Sequence, residues 1–204
     1  MTTTLKILSV GSSALAGNSV TRQLSEDLIA KLEAAHGPVE LTKRDLDANK
    51  VEFIDPSWVG AAYTDPSERT PEQAATLALS DELIAELKAA DVIIIGAPMY
   101  NFSVPASLKA WVDLVTRRGE TFAYSENGPV GLVGEGKKAY IVAAHGGVPV
   151  GSPVDFNTPF LKHILGFIGV NDVEVIAAVG VAMDREKAIA EASEQIDMIG
   201  KVAA

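Results

Sequence analysis

The sequence contains no cysteine. Disulfides, thiolate metal ligands and a cysteine nucleophile are therefore excluded, and any redox chemistry would have to be carried by a bound cofactor. Histidine is scarce. His36, His145 and His163 are the three present, and none has the neighbours of a nucleophile triad. No window reaches the roughly 18 apolar residues of a membrane span, and Met1 to Lys6 shows no charged segment followed by a long apolar one. The expected location is the cytoplasm. Positive charge is also short: 17 Lys and Arg stand against 27 Asp and Glu, a formal net charge of -10. That balance repels phosphate backbones and anionic membranes, so neither nucleic acid nor a membrane is an expected partner. Two nucleotide signatures are missing as well, G-x-G-x-x-G and a Gly-Lys-Ser/Thr loop, which excludes a dinucleotide fingerprint and a Walker site.

What is present is a core. With 204 residues, 48% of them hydrophobic, the chain is long enough for one globular domain spanning 1–204 and too short for a sizeable second one. The strongest strand signal is Asp91-Val92-Ile93-Ile94-Ile95-Gly96, an apolar run without polar alternation, as in the centre of a parallel sheet covered on both faces. It ends in Ala97-Pro98-Met99-Tyr100-Asn101-Phe102, which offers one amide and two ring faces beside a strand exit. Ligands of such sheets sit at the carboxyl ends of the strands, and this loop suits a flat heteroaromatic ligand. It also reads as an ordinary strand-to-helix turn with packed rings.

A first strand, Leu5 to Ser12, runs into a loop of small and hydroxyl residues, Gly11 to Thr21. The helix after it carries Val20, Leu24, Leu28 and Leu32 at four-residue spacing and stops at Gly37-Pro38. Strand, loop and helix in this order make a phosphate site, with Ser13, Ser19 and Thr21 facing the anion at the positive end of the helix dipole; a plain Asn or Ser cap is the alternative. A second strand is expected over Val39 to Arg44. The stretch from Asp45 to Thr70 shows no clear period, yet Phe53, Ile54, Trp58, Val59 and Tyr63 are too apolar for a free linker and suggest a covered interface.

Thr70-Pro71-Glu72-Gln73 is a capping box opening a helix to about Ala89. A helix follows from Pro105 toward Gly119, then a hairpin turning at Asn127-Gly128. Lys137 to Ala144 is the fourth sheet strand, leading to His145-Gly146-Gly147, whose glycines leave backbone N–H groups free to face a ligand edge. His145 reads first as a hydrogen-bonded structural residue. A helix around Phe156 to Ile168 carries more apolar residues than one core-facing stripe holds, which implies a partner. Val173 to Val179 is the fifth strand, and Asp184 caps the last helix.

Five strands alternating with helices predict an α/β three-layer sandwich with a five-stranded parallel sheet in flavodoxin-like order 2-1-3-4-5 and helices on both faces. Ala97 to Phe102, Leu108-Lys109 with Asp113, Glu126-Asn127-Gly128-Pro129, His145-Gly146-Gly147 and Gly166-Phe167-Ile168-Gly169 together make the chain resemble the FMN-dependent NADH azoreductases, also called FMN-dependent NADH:quinone oxidoreductases. The resemblance implies a homodimer with one FMN per subunit at the interface. It further implies NADH as electron donor and small aromatic acceptors, quinones and azo compounds. The family's phosphate contacts fall on Ser13, Ser19, Val20 and Thr21, and its ring contacts on Met99, Tyr100, Asn101 and Phe102. Its second ring contact, commonly Ser-Arg-Gly-Gly, falls on Ala144, His145, Gly146 and Gly147. Its substrate-lining aromatics fall on Phe122, Phe160 and Phe167. No catalytic side chain and no metal is expected. An electron carrier without a substrate pocket of its own is the alternative, while a phosphoacceptor domain would need an aspartate where Gly96-Ala97-Pro98 stand.

Overall fold

The structure, a computed structural model, describes residues 4–134 and 136–202. Strands β1 (Leu5–Gly11), β2 (Val39–Asp45), β3 (Val92–Pro98), β6 (Lys138–His145) and β7 (Asp172–Val179) form a parallel sheet in order β2-β1-β3-β6-β7. Counted within the sheet alone, this is the expected 2-1-3-4-5. β4 (Phe122–Ser125) and β5 (Gly128–Gly131) form a separate antiparallel hairpin.

Every residue of β3 is buried because the strand is central and covered twice. Its side chains alternate between two cores. Ile93, Ile95 and Ala97 join the core beneath α3 (Pro71–Ala89), α4 (Ala106–Val115) and α5 (Thr158–Phe167). Val92 and Ile94 join the core beneath α1 (Val20–His36) and α6 (Arg185–Val202). In α1 the four-residue spacing buries Val20, Leu24, Leu28 and Leu32, with Ile29 beside them, and each such side chain contributes about 1.5–3 kcal/mol by leaving water. Ser19 caps this helix by accepting from the Arg22 N–H, and Gly37, at φ 87°, ends it. The capping box at Thr70 and Gln73 closes in both directions, and Asp184 accepts from the Lys187 N–H as the cap of α6.

Two details differ from the sequence reading. The stretch after β2 contains a helix, α2 (Pro56–Tyr63), started by Asp55, which accepts from the Trp58 N–H at 2.7 Å. At eight residues it is too short to show a period, and it buries only Ala61. In the hairpin, Ser125 pairs with Gly128, so the turn is centred on Glu126-Asn127 and only Gly128 takes positive φ. The Ser125 hydroxyl donates to the Gly128 carbonyl at 2.8 Å and holds that turn instead.

Candidate functional site

The loop between β1 and α1 is fixed from below. Ser12 donates its hydroxyl hydrogen to the Gly96 carbonyl at 2.7 Å, joining the exit of β1 to β3. Arg22, in the first turn of α1, donates to the Ser13 carbonyl at 2.9 Å and takes the Asp45 carboxylate through both terminal nitrogens. That guanidinium hydrogen bond, helped by the Asp47 and Ala48 backbone N–H groups, lowers the Asp45 carboxyl to about 2 against burial. Three hydroxyls line the loop. Ser13 Oγ accepts from the Leu15 N–H at 3.2 Å, and the Ser19 and Thr21 hydroxyls lie 3.2 Å apart. The N–H groups of Val20 and Thr21 begin the helix and so have no intrahelical acceptor. Hydroxyls, free amides and the positive helix end are a donor set for a phosphate dianion.

The loop leaving β3 meets this one. The Tyr100 hydroxyl accepts from the Ala14 N–H at 3.2 Å and lies 3.5 Å from Ser13 Oγ. Tyr100 and Ser103 exchange backbone hydrogen bonds at 3.0 and 3.1 Å, closing a tight turn around Asn101 and Phe102. Both central residues are left-handed, at φ 49° and 72°. Asparagine tolerates this conformation, but a phenylalanine there is strained, and strained backbone concentrates at ligand sites. No side-chain pattern announces such a turn, since the usual Asn-Gly or Gly-Gly signal is absent.

The third loop leaves β6. His145 is fully buried, and its ring bonds inward, to the Val148 carbonyl at 3.0 Å and to Asn157 at 3.4 Å. Ala144 is buried too, and its carbonyl accepts from the Met99 N–H at 2.9 Å. A ligand at this loop would therefore meet Gly146 and Gly147. Farther along the same loop lies a buried polar group that sequence reasoning missed. Burial pushes the Asp155 carboxyl up, but hydrogen bonds from the Thr158 hydroxyl and from the Gly151, Thr158 and Asn157 N–H groups hold it below the usual carboxylate range. Its only sequence signal is the Asp-x-x-Thr spacing of a local turn.

Beside the strained turn opens a cleft of about 700 Å³, lined by Tyr100, Asn101, Val104, Lys109, Phe156 and Phe160 among others. It is mainly apolar and holds no cysteine or serine-histidine pair. The three substrate-side phenylalanines do not converge within one chain. Phe160 faces this cleft, whereas Phe122 packs on Phe167 with ring centroids 4.7 Å apart and faces a hollow shared with Trp58 and Tyr63 of α2. A further cavity, about 360 Å³, lies at the opposite end of the sheet between α1, α6 and the starts of β6 and β7, away from the strand exits. Among the described residues no group of three or more His, Asp or Glu is placed to hold a metal, and no helix is long and apolar enough to cross a membrane.

The chain is similar to known proteins over almost its whole length. A family described as having a flavodoxin-like fold matches residues 5–199. An FMN-dependent NADH:quinone oxidoreductase of Escherichia coli strain K12 is 48% identical over 197 residues, covering 95% of this chain and 98% of its own. FMN-dependent NADH:quinone oxidoreductase 1 of Hahella chejuensis is 46% identical over 199 residues, covering 98% and 97%. Among solved structures, an azoreductase of Bacillus anthracis strain Sterne superimposes with a TM-score of 0.84 at 27% identity over 98% of each chain. At these identities and coverages, the chain belongs to the flavodoxin-like family and, within it, to the group of the FMN-dependent NADH:quinone oxidoreductases.

Proposed function

We propose that the protein is an FMN-dependent NADH:quinone oxidoreductase that also cleaves aromatic azo compounds, acting as one flavodoxin-like domain per subunit of a homodimer in the cytoplasm. The observation that carries this reading is the meeting of the phosphate loop and the ring loop at the Tyr100 hydroxyl, at the crossing of β1 and β3 where such sheets bind their ligand. The donor set fits FMN. Ser13, Ser19, Val20 and Thr21 would hold its phosphate, Met99 to Phe102 one side of its ring, and the Gly146 and Gly147 amides the other. When bound, FMN supplies the hydride chemistry between NADH and a quinone or azo acceptor. The residues contribute orientation: the strained Asn101-Phe102 turn sets the ring plane, the glycine amides place positive dipoles at its edge, and the apolar cleft excludes water around the acceptor.

The cleft also weighs against an electron carrier, which needs no enclosed acceptor site. Donor and acceptor would use this one cleft in turn, the basis of a ping-pong order. The dimer is supported by large apolar side chains left exposed on the outer elements, Phe53 at 74%, Tyr63 at 78% and Phe156 at 59%, and by the separation of Phe122 and Phe167 from Phe160. A second copy would cover these surfaces and bring another aromatic wall to the cleft.

The test is direct. Purified protein should carry a flavin absorption band and oxidise NADH with a quinone and no protein partner, and light scattering should give twice the chain mass. A colourless protein that does not take up FMN, or a flavin protein idle toward quinones, would refute the enzyme reading.

A further inference from the structure

We propose that His145 is a positioning residue: a buried, neutral imidazole that holds the Gly146-Gly147 loop against the cofactor ring by bridging the Val148 carbonyl to Asn157. The inference rests on the reading that this loop meets FMN, and it assigns the histidine a role apart from touching the ligand.

The hydrogen bonds determine the ring's protonation. The Val148 carbonyl can only accept, so His145 Nδ1, 3.0 Å away, carries the hydrogen. Nε2 is then an acceptor, facing the Asn157 amide nitrogen at 3.4 Å, and that same nitrogen donates its second hydrogen to the Ala97 carbonyl at 3.0 Å. An unbroken chain results, from the loop after β6, through His145 and Asn157, to Ala97 near the end of β3 before the ring loop. Asn157 is itself fixed, its backbone N–H donating to Asp155 at 3.0 Å, and Asp155 is bound by Gly151 and Thr158. The histidine is thus the link between a buried, hydrogen-bonded anchor and a loop with few hydrogen bonds of its own.

The loop needs that link. Glycine carries the largest backbone entropy, and amides that face a ligand act only when they are ordered beforehand. The Gly146 carbonyl accepts from the Ala182 N–H at 3.2 Å, but among the described residues Gly147 and Val148 have no hydrogen bond apart from the one to His145. An apolar residue in place of the histidine would fill the core equally well and leave Val148 untied.

The experiment uses holoenzyme with His145→Leu and His145→Asn. His145→Leu should bind FMN about tenfold more weakly, the expected effect of losing one or two hydrogen bonds, and shift the bound-FMN midpoint potential to a more negative value, while KM for the quinone stays unchanged. His145→Asn presents an N–H where Nδ1–H stood and should recover most of both losses. Wild-type affinity and potential in a folded His145→Leu protein would overturn the proposal. Should His145→Leu not fold, ¹⁵N NMR of the wild-type holoenzyme decides: a pyrrole-type Nδ1 with a pyridine-type Nε2 supports it, and the opposite tautomer overturns it. A wild-type protein that takes up no FMN would instead bring down the functional reading itself, and the wild-type control separates the two failures.

Discussion

The Tyr100 hydroxyl accepts a hydrogen bond from the Ala14 backbone N–H at 3.2 Å, across 86 positions of sequence, and so ties the loop after β3 to the loop after β1. Together with the Ser12 hydroxyl bond to the Gly96 carbonyl, this side chain joins the two halves of the proposed site. Tyr100→Phe keeps the ring and deletes the tie, and the cost should be about 1 kcal/mol, a roughly fivefold weaker FMN dissociation constant with little change in melting temperature. Titration of apoprotein by fluorescence measures it, and an unchanged constant would remove Tyr100 from the site.

Asn101 separates strain from binding. It lines the cleft at φ 49°, where alanine pays roughly 1 kcal/mol and glycine pays nothing. Asn101→Ala and Asn101→Gly should both weaken FMN by about 1 kcal/mol through loss of the amide, but only the alanine variant should also melt lower. Equal FMN affinity in all three proteins would show that the amide does not reach the ring.

Acid should loosen the loop after β1 through Asp45, whose partner Arg22 also holds the Ser13 carbonyl. Its carboxyl titrates at about 2 in the fold against 3.8 ordinarily, so the fold binds fewer protons than the unfolded chain. The Arg22–Asp45 contribution is then fully present above pH 3.8 and is lost as pH falls through about 2. The pair is partly exposed, so its contribution stays below the about 2 kcal/mol that the shift alone would imply. Urea unfolding of wild type and Asp45→Asn at a series of pH values should show a stability gap that closes toward pH 2, and a gap independent of pH would contradict the assignment.

Gly131 and Gly60 should respond to alanine with opposite sign. A Cβ at Gly131 would stand 2.1 Å from the Gly169 backbone nitrogen and 2.2 Å from the Ile168 carbonyl carbon, forcing the hairpin off the end of α5. Gly131→Ala should cost about 1–3 kcal/mol. Gly60, inside α2, has nothing within 4 Å of such an atom, and Gly60→Ala should stabilise by up to about 1 kcal/mol. Thermal melts read both.

A single cleft predicts ping-pong kinetics. If NADH and the acceptor must occupy the space between Tyr100 and Phe160 in turn, double-reciprocal plots at several quinone concentrations will be parallel, with mutual inhibition at high substrate. Converging lines would mean that both bind together and that the cleft has two compartments.

The layers of this fold were legible because their signals are local. An unbroken β-branched run at Val92 to Ile95 marks a strand covered twice, and the four-residue spacing from Val20 to Leu32 marks a buried helix face. The hydroxyl-rich loop after β1 was legible for the same reason, as Ser13, Ser19 and Thr21 cluster between a strand and a helix. Helix α2 escaped because two turns do not make a period. His145 was legible as a hydrogen-bonded structural residue, but its buried partners Asp155 and Asn157 escaped because polar residues in loops are ordinarily solvated, and only packing shows these to be enclosed.

The sequence by itself determined the class of fold, the buried faces and the loops rich in ligand-binding groups, since periodicity and capping depend on residues within a few positions of each other. Only the tertiary structure decided which of those groups meet. Strand order 2-1-3 sets the exits of β1 and β3 side by side, which brings Tyr100 to Ala14 and Ser12 to Gly96. The left-handed turn at Asn101 and Phe102 likewise exists because hydrogen bonds between Tyr100 and Ser103, and between the Phe156 N–H and the Phe102 carbonyl, hold it. Local propensity disfavours that conformation for phenylalanine, and it persists because contacts from a distant loop outweigh the roughly 1–3 kcal/mol it costs.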